Sequence, residues 1–226
     1  MYRYETHAHT KESSLCGHIA ASEGLRLYRD AGYQGVVFTD HFNQENLDAY
    51  GRISWEKKID RYLAGYRNAA AAAENLGMDV LWGIELRLSE NDNDYLVYGL
   101  TEAFLKAHAE MLSWSIPDFM HAIACLRDVL VYQAHPYRQG CHPLLPVVVH
   151  GFEIYNGNPR HDSHNDRAER VANEQHLLIL SGSDFHRHED LATGGVVFSK
   201  RVKSISEFVC AARTLQSTSL IRKGSL

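Results

Sequence analysis

The chain has 226 residues, near the size of one domain, and its 45% hydrophobic and 23% charged residues are those of an ordinary globular protein. A formal net charge of -5 argues against broad coating of nucleic acid, while an anionic small substrate remains compatible, because bound cations would set the local field. No apolar run approaches the roughly 18 residues of a membrane span, and the opening MYRYETHAHT lacks a secretory leader's basic-then-apolar layout, so a cytoplasmic protein with no membrane partner is expected.

In chain order, residues 2–7 read as a strand that runs into HAHT, 22–31 as a helix, and 35–40 as a strand ending in TDH. A long helix is expected over 54–76, carrying the alanine run and stopped by Gly77. Strands follow at 80–86 and 95–100, helices at 101–108 and 117–127, and strands at 129–134 and 152–155. A helix over 162–176, strands at 177–180 and 196–199, and a helix over 204–215 complete the reading. Alternating strands and helices point to a parallel sheet covered by helices.

Polar, metal-competent residues stand at the ends of the apolar runs YRYETHAH, VVFTDH, VLWGIEL, VLVYQAHP, FEIYNGN and LLILSGSDFH. Parallel strands closed into a barrel bring their C-terminal ends to one face, so residues far apart in sequence would meet there. An open doubly wound sheet gathers strand ends only at its switch point. A closed or nearly closed barrel over residues 1–226 is therefore expected.

The unusual count is 14 histidines, and position decides which of them matter. His7 and His9, two apart at a strand end, leave the same face of the pleat and can share a metal, although two solvent-facing histidines would look the same. Asp40 and His41 close the second strand. Glu85 sits in a strongly apolar strand, where a carboxylate needs a partner or a metal. His135 precedes Pro136, Asp184 and His186 follow small residues in SGSDFH, and His18 follows Gly17 in the first loop. Six imidazoles and two carboxylates exceed what one four-coordinate site can use, so two or three metals are implied. The other histidines read as surface residues, with His161 a candidate for the pocket mouth. Cys16, Cys125, Cys141 and Cys210 form no C-x-x-C pair and read as buried or idle thiols.

The motifs HAHT at 7–10, TDH at 39–41, GIE at 83–85, AHP at 134–136 and GSDFH at 182–186 resemble, in type and order, those of the PHP family, the polymerase and histidinol phosphatase superfamily. The resemblance implies a distorted (β/α)7 TIM-like barrel with a trinuclear centre. By that resemblance His7, His9, Glu85 and Asp184 hold one metal, Glu85 bridges to a second bound by His135, and His18, His41 and His186 hold the third, with Asp40 a close partner or ligand. One departure is visible: Asp94 opens DYLVYGL where many members have histidine. A carboxylate there would move preference from Zn2+ towards Mn2+ or Fe2+.

No G-x-S-x-G elbow and no phosphate-binding G-x-x-x-x-G-K-[ST] loop occurs, so metal-activated water is the expected nucleophile. Arg138 is the first candidate for phosphate contact, ahead of Arg160 and Lys11, and Asp40 or His186 could serve the leaving group as proton donor. The leading expectation is a metal-dependent phosphoesterase acting on a small phosphomonoester. Nuclease action on nucleic-acid phosphodiesters is the alternative, weakened because no basic stripe accompanies the tyrosines and tryptophans. A metal-dependent amidohydrolase fits the paired TDH and SDFH motifs less well, and the nearly intact ligand set speaks against a non-catalytic binding or regulatory module.

Overall fold

The computed structural model describes residues 1–144 and 148–224; residues 145–147 and 225–226 of the expected domain lie outside that description. The elements in order are β1 (Tyr2–Ala8), α1 (Ala21–Asp30), β2 (Gly35–Phe38), β3 (His41–Phe42), α2 (Gln44–Asp48), α3 (Trp55–Tyr62), α4 (Ala64–Leu76), β4 (Asp79–Arg87) and β5 (Asp94–Tyr98). They continue with α5 (Glu102–Ala107), α6 (Ile116–Ala122), β6 (Leu130–Gln133), β7 (Gly151–Asn156), α7 (Asn165–Glu174), β8 (Leu178–Gly182), β9 (Gly194–Phe198), α8 (Ile205–Ala212) and β10 (Leu220–Arg222). No helix among the described residues is long and apolar enough to cross a membrane.

The strands pair in the order β10-β9-β1-β2-β4-β5-β6-β7-β8, with β3 beside β4. Among the described residues, β1, β2, β4, β5, β6, β7 and β8 form a nearly closed wall. The wall returns from β8 to β1 through one isolated parallel bridge, Ala8–Phe185. Around it the Phe185 N–H donates to the His7 carbonyl at 3.1 Å and the His9 N–H to the Phe185 carbonyl at 2.9 Å. The expected α/β architecture, a distorted seven-stranded barrel, is the one found.

Two expectations need correction. The wall is not wholly parallel, because β5 runs antiparallel to both β4 and β6. Only residues 88–93 separate β4 from β5, whereas a parallel crossover needs a dozen residues or more. The chain can only fold back, and Arg87 faces Asp94 in register. The beginning of β5 therefore lies where its neighbours end.

The single helix expected over 54–76 is two, α3 and α4, broken at Leu63. Ser54 caps the first, and Gly77, in a left-handed conformation, closes the second. At the break, Gly65 donates its N–H to Ser13 Oγ at 2.9 Å. A Cβ there would lie 2.0 Å from Thr10 Oγ1, so only glycine lets α4 dock on the loop after β1.

The period-two alternation of β2 divides the core. Val36 and Phe38 pack with Leu25 and Tyr28 of α1, while Val37 joins the larger cluster that holds Leu81, Ile84 and Tyr98. Burying apolar groups on both faces leaves the strand ends as the place where polar residues can gather.

Candidate metal centre

Every expected ligand except His18, which lies in the loop before α1, stands in or just beyond a strand. His7 lies in β1 and His9 just beyond it, His41 in β3, Glu85 in β4, Asp94 at the start of β5, His135 just after β6, and Asp184 and His186 just after β8. Two of these positions are strained: His135 and Asp184 have φ of 29° and 53°. Non-glycine residues adopt such backbones at a cost and cluster at functional sites.

The side chains converge. His7 Nε2 lies 3.2 Å from Glu85 Oε1 and 3.5 Å from Asp184 Oδ1, and His9 Nε2 lies 3.2 Å from Glu85 Oε2 and 3.4 Å from Asp184 Oδ1. His41 Nδ1 approaches Glu85 Oε2 at 2.8 Å, and His135 Nε2 lies 3.3 Å from Glu85 Oε1 and 3.9 Å from Asp94 Oδ2. Three overlapping groups have donor atoms within 4.8 Å of one another: His7, His9, Glu85 and Asp184; His41, Glu85 and Asp94; and His9, His41 and His186. Glu85 is common to two of them, as a bridging carboxylate would be.

Hydrogen bonding on the far side of each ring fixes which nitrogen looks inward. His7 Nδ1 meets Glu153 Oε1 at 2.9 Å, so its proton is there and Nε2 faces the cluster. Ser14 Oγ donates to Asp40 Oδ1 at 2.7 Å and must therefore accept from His9 Nδ1 at 3.3 Å. His186 Nδ1 donates to the Asp184 carbonyl at 2.9 Å, leaving a lone pair on Nε2.

The fit to cations is tested by what remains unsatisfied. Among the described residues, His7 Nε2, His9 Nε2, His41 Nδ1 and Glu85 Oε2 are buried without an aligned hydrogen bond. Buried polar atoms are ordinarily bonded, and imidazole nitrogens and carboxylate oxygens are suitable metal donors. The residues present fit divalent cations.

The electrostatics point the same way. Burial would raise Glu85 and Asp184, yet both are held well below the ordinary carboxylate range, Glu85 by His7 and His41, and Asp184 by His7 and Arg138. Burial would lower His7 and His41, but the surrounding carboxylates, Glu85 foremost, push both well above the usual imidazole value. His135 is pushed up to about 9, where bonding to Cys141 and Glu85 outweighs burial and the repulsion of Arg138. His186 goes the other way, down to about 2, through burial and the neighbouring His9 and His41. In this state protons supply the positive charge that the carboxylates demand.

A cavity of about 330 Å3 opens over the cluster, bounded by His41, Glu85, His135 and Asp184 and by Arg87, Arg138, Arg160 and Arg187. A larger hollow of about 620 Å3 lies elsewhere, between β9 and α8; Glu207 and Cys210 line it, but among the described residues no cluster of three potential metal ligands lies there.

A family model described as PHP-associated matches residues 162–216. A chain from Bifidobacterium adolescentis described as a metal-dependent phosphoesterase shares the fold with a TM-score of 0.54 at 16% identity, over 95% of this chain and 97% of its own. A two-domain protein from Bacteroides vulgatus containing a PHP-like metal-dependent phosphoesterase gives 0.56 at 15% identity, over 82% of this chain and 52% of that one. The family model spans about a quarter of the chain, and likenesses at this identity show a shared fold. An amidohydrolase from Chromobacterium violaceum, with bound sulfate and no metal, gives 0.59 at 16% identity over 98% of both chains. None of the curated proteins matches the sequence.

The remaining site expectations are placed as follows. Asp40 is buried, but its oxygens accept from the Thr10 N–H, Thr10 Oγ1 and Ser14 Oγ, so it braces the loop after β1 and is not part of the cavity wall. His18 is exposed at the cavity rim and outside the three ligand groups, and Lys11 is exposed and outside the cavity lining. Arg138 bonds Asp184 Oδ2 and Asn156 Oδ1, each at 2.8 Å. Arg160 also lines the cavity, bonded to Asp190 and Glu189. Asp94 is within one ligand group, but both of its oxygens accept from Arg87, at 2.8 and 2.6 Å. His161 lines the cavity as expected.

Sequence reasoning missed Glu153, Arg87, Arg187 and two of the thiols. Glu153 Oε2 accepts the His135 N–H and Asn156 Nδ2, each at 3.0 Å, so one carboxylate sets two ligands. The signal that revealed Glu85, a lone acid in an apolar strand, was also present in FEIYN. The cysteines are not buried: Cys16, Cys125 and Cys210 are exposed and Cys141 is half-buried. Cys16 Sγ lies 3.1 Å from His186 Nε2, and Cys141 Sγ 3.6 Å from His135 Nδ1.

Proposed function

We propose that the chain is a metal-dependent phosphoesterase that releases phosphate from a small phosphomonoester at a centre of two or three divalent cations. One observation carries the reading: a buried cluster of His, Asp and Glu, whose inward His7, His9, His41 and Glu85 donor atoms are unsatisfied, opens on a cavity lined by Arg87, Arg138, Arg160 and Arg187. Anion-binding guanidinium beside cation-binding carboxylate and imidazole is a donor set matched to a phosphate ester.

His7, His9, Glu85 and Asp184 would hold one cation, Glu85 with Asp94, His135 and His41 a second, and His41 and His186 with His9 would border a third. Zn2+, Mn2+ and Fe2+ are the candidates. Such cations acidify water and offset charge on the phosphoryl oxygens. The chain's own groups do the rest. Arg138, anchored by Asp184 and Asn156, presents its guanidinium at the edge of the cluster. Glu153 keeps the proton of His7 on the ring's outer nitrogen. With His186 neutral and Asp40 turned to the loop, neither is poised as the proton donor, and His186 acts as a lone-pair donor.

A cavity of about 330 Å3 is at the small end of ligand sites and suits one phosphorylated metabolite. A nucleic-acid strand would call for an open basic and aromatic groove. The sulfate bound in the C. violaceum neighbour, a tetrahedral dianion like phosphate, is in keeping with this reading. The test loads the protein with Zn2+ or Mn2+ and compares p-nitrophenyl phosphate and a panel of phosphomonoesters with a phosphodiester, a single-stranded oligonucleotide and an amide. Metal-dependent phosphate release that vanishes in Asp184→Asn is expected. Turnover confined to the diester, oligonucleotide or amide, or none at all, would overturn it.

A further inference from the structure

The group of His9, His41 and His186 differs from the others in carrying no anionic member. Its rings stack closely, His9 to His186 at 4.0 Å and His9 to His41 at 4.4 Å between centroids, and the buried His9 Nε2 has no hydrogen-bond partner. Three imidazoles held this way need something positive between them and something negative to complete it. His18 does not approach through its ring: it is exposed, and its backbone N–H donates to the His186 carbonyl at 3.0 Å. That bond fastens the loop so that Cys16, two residues earlier, sits with Sγ 3.1 Å from the Nε2 lone pair of His186.

The loop has little freedom to place Cys16 otherwise. Gly17 donates its N–H to the Ser14 carbonyl at 3.0 Å, Lys11 donates to the Ile19 carbonyl at 2.9 Å, and a Cβ on Gly17 would stand 2.4 Å from Thr10 O. We propose that Cys16 binds the cation at the His41–His186 end of the centre as a thiolate, in the position expected of His18. The inference rests on the metal-centre reading above and deepens it. On binding, the thiol proton passes to solvent and sulfur supplies the missing negative charge. The centre then has two unlike ends, since thiolate favours a soft cation such as Zn2+ where Cys16 lies, and carboxylate favours a harder one where Asp94 lies.

The experiment titrates Co2+ into the full chain, with metal content measured in parallel. Wild type should develop near-ultraviolet thiolate-to-cobalt charge-transfer absorption. The band should be absent from Cys16→Ser and retained in His18→Ala and in Cys141→Ser, and zinc affinity of Cys16→Ser should fall roughly tenfold or more. Zn2+ should also protect Cys16 of the unmodified chain from alkylation, which needs no variant to fold. Full Co2+ loading without the band, a band that survives Cys16→Ser, or equal alkylation with and without Zn2+ would overturn the thiolate ligand while leaving the phosphoesterase reading intact. Failure to take up any divalent ion would overturn both.

Discussion

Glu153 is no part of the cavity wall and still governs two ligands, because its oxygens hold the ring of His7 and the backbone of His135. Glu153→Gln keeps the volume but leaves one acceptor oxygen where two are used, so its NH2 must face either Nδ1–H of His7 or the His135 N–H and Asn156 amide donors. Metal affinity should drop about 10- to 100-fold, read by competition with a chromophoric chelator; unchanged affinity would show that the contact is idle. Arg138 is the group proposed to meet the substrate. Arg138→Ala should lower kcat for a phosphomonoester by about a hundredfold, and unaltered turnover would remove it from the site. At this scale the inward-facing ligands were legible because a charged or imidazole side chain at the end of an apolar run has few other reasons to be there. Glu153 and Arg87 escaped because their roles depend on neighbours from other strands, His7 and Asp94, that only folding supplies.

The elements place these groups through close approach of backbone. Gly182 ends β8 directly against β1: a Cβ would lie 2.4 Å from the His7 Cβ and 2.9 Å from Glu153 Oε1. Gly182→Ala should therefore cost about 1–3 kcal/mol of stability and weaken metal binding at the same time, by thermal unfolding with and without metal. A variant that loses neither would mean that the strands can separate there freely. The strand ends and most helices could be read from periodicity. The reversal of β5 could not be read from the strand itself, although six residues between two strands allow nothing but a hairpin. The break at Leu63 was hidden because its cause, the meeting of Gly65 with Thr10 and Ser13, joins segments some fifty residues apart.

For the whole molecule, charge in the centre ties stability to pH and metal. His7, His41 and His135 have raised values when no metal is bound, so their stabilisation is complete below the unfolded imidazole value of about 6.5 and disappears as pH climbs through the folded ones, about 9 for His135. Glu85 and Asp184 have lowered values, so theirs is present above the ordinary carboxylate range and disappears in acid. Chelator-stripped protein should melt at lower temperature at pH 9 than at pH 7. Metal binding must displace the imidazole protons, so the rise in Tm on adding Zn2+ should grow over that interval. Saturating metal gives about 4 kcal/mol at a thousandfold excess over Kd, on the order of 10 °C for a chain of this size. A metal-induced rise independent of pH would contradict the charges assigned to the centre.

The wall of strands has a weak seam. Between β8 and β1 the hydrogen-bonded ladder gives way to the single Ala8–Phe185 bridge, and the groups on either side are His7 and His9 on one margin, Asp184 and His186 on the other. Any ion gripped by His7, His9 and Asp184 would be a clasp drawn across that gap. Metal binding and closure would then depend on the same bonds, and removing both the ions and the imidazole protons would loosen the ligand cluster where the barrel itself is weakest.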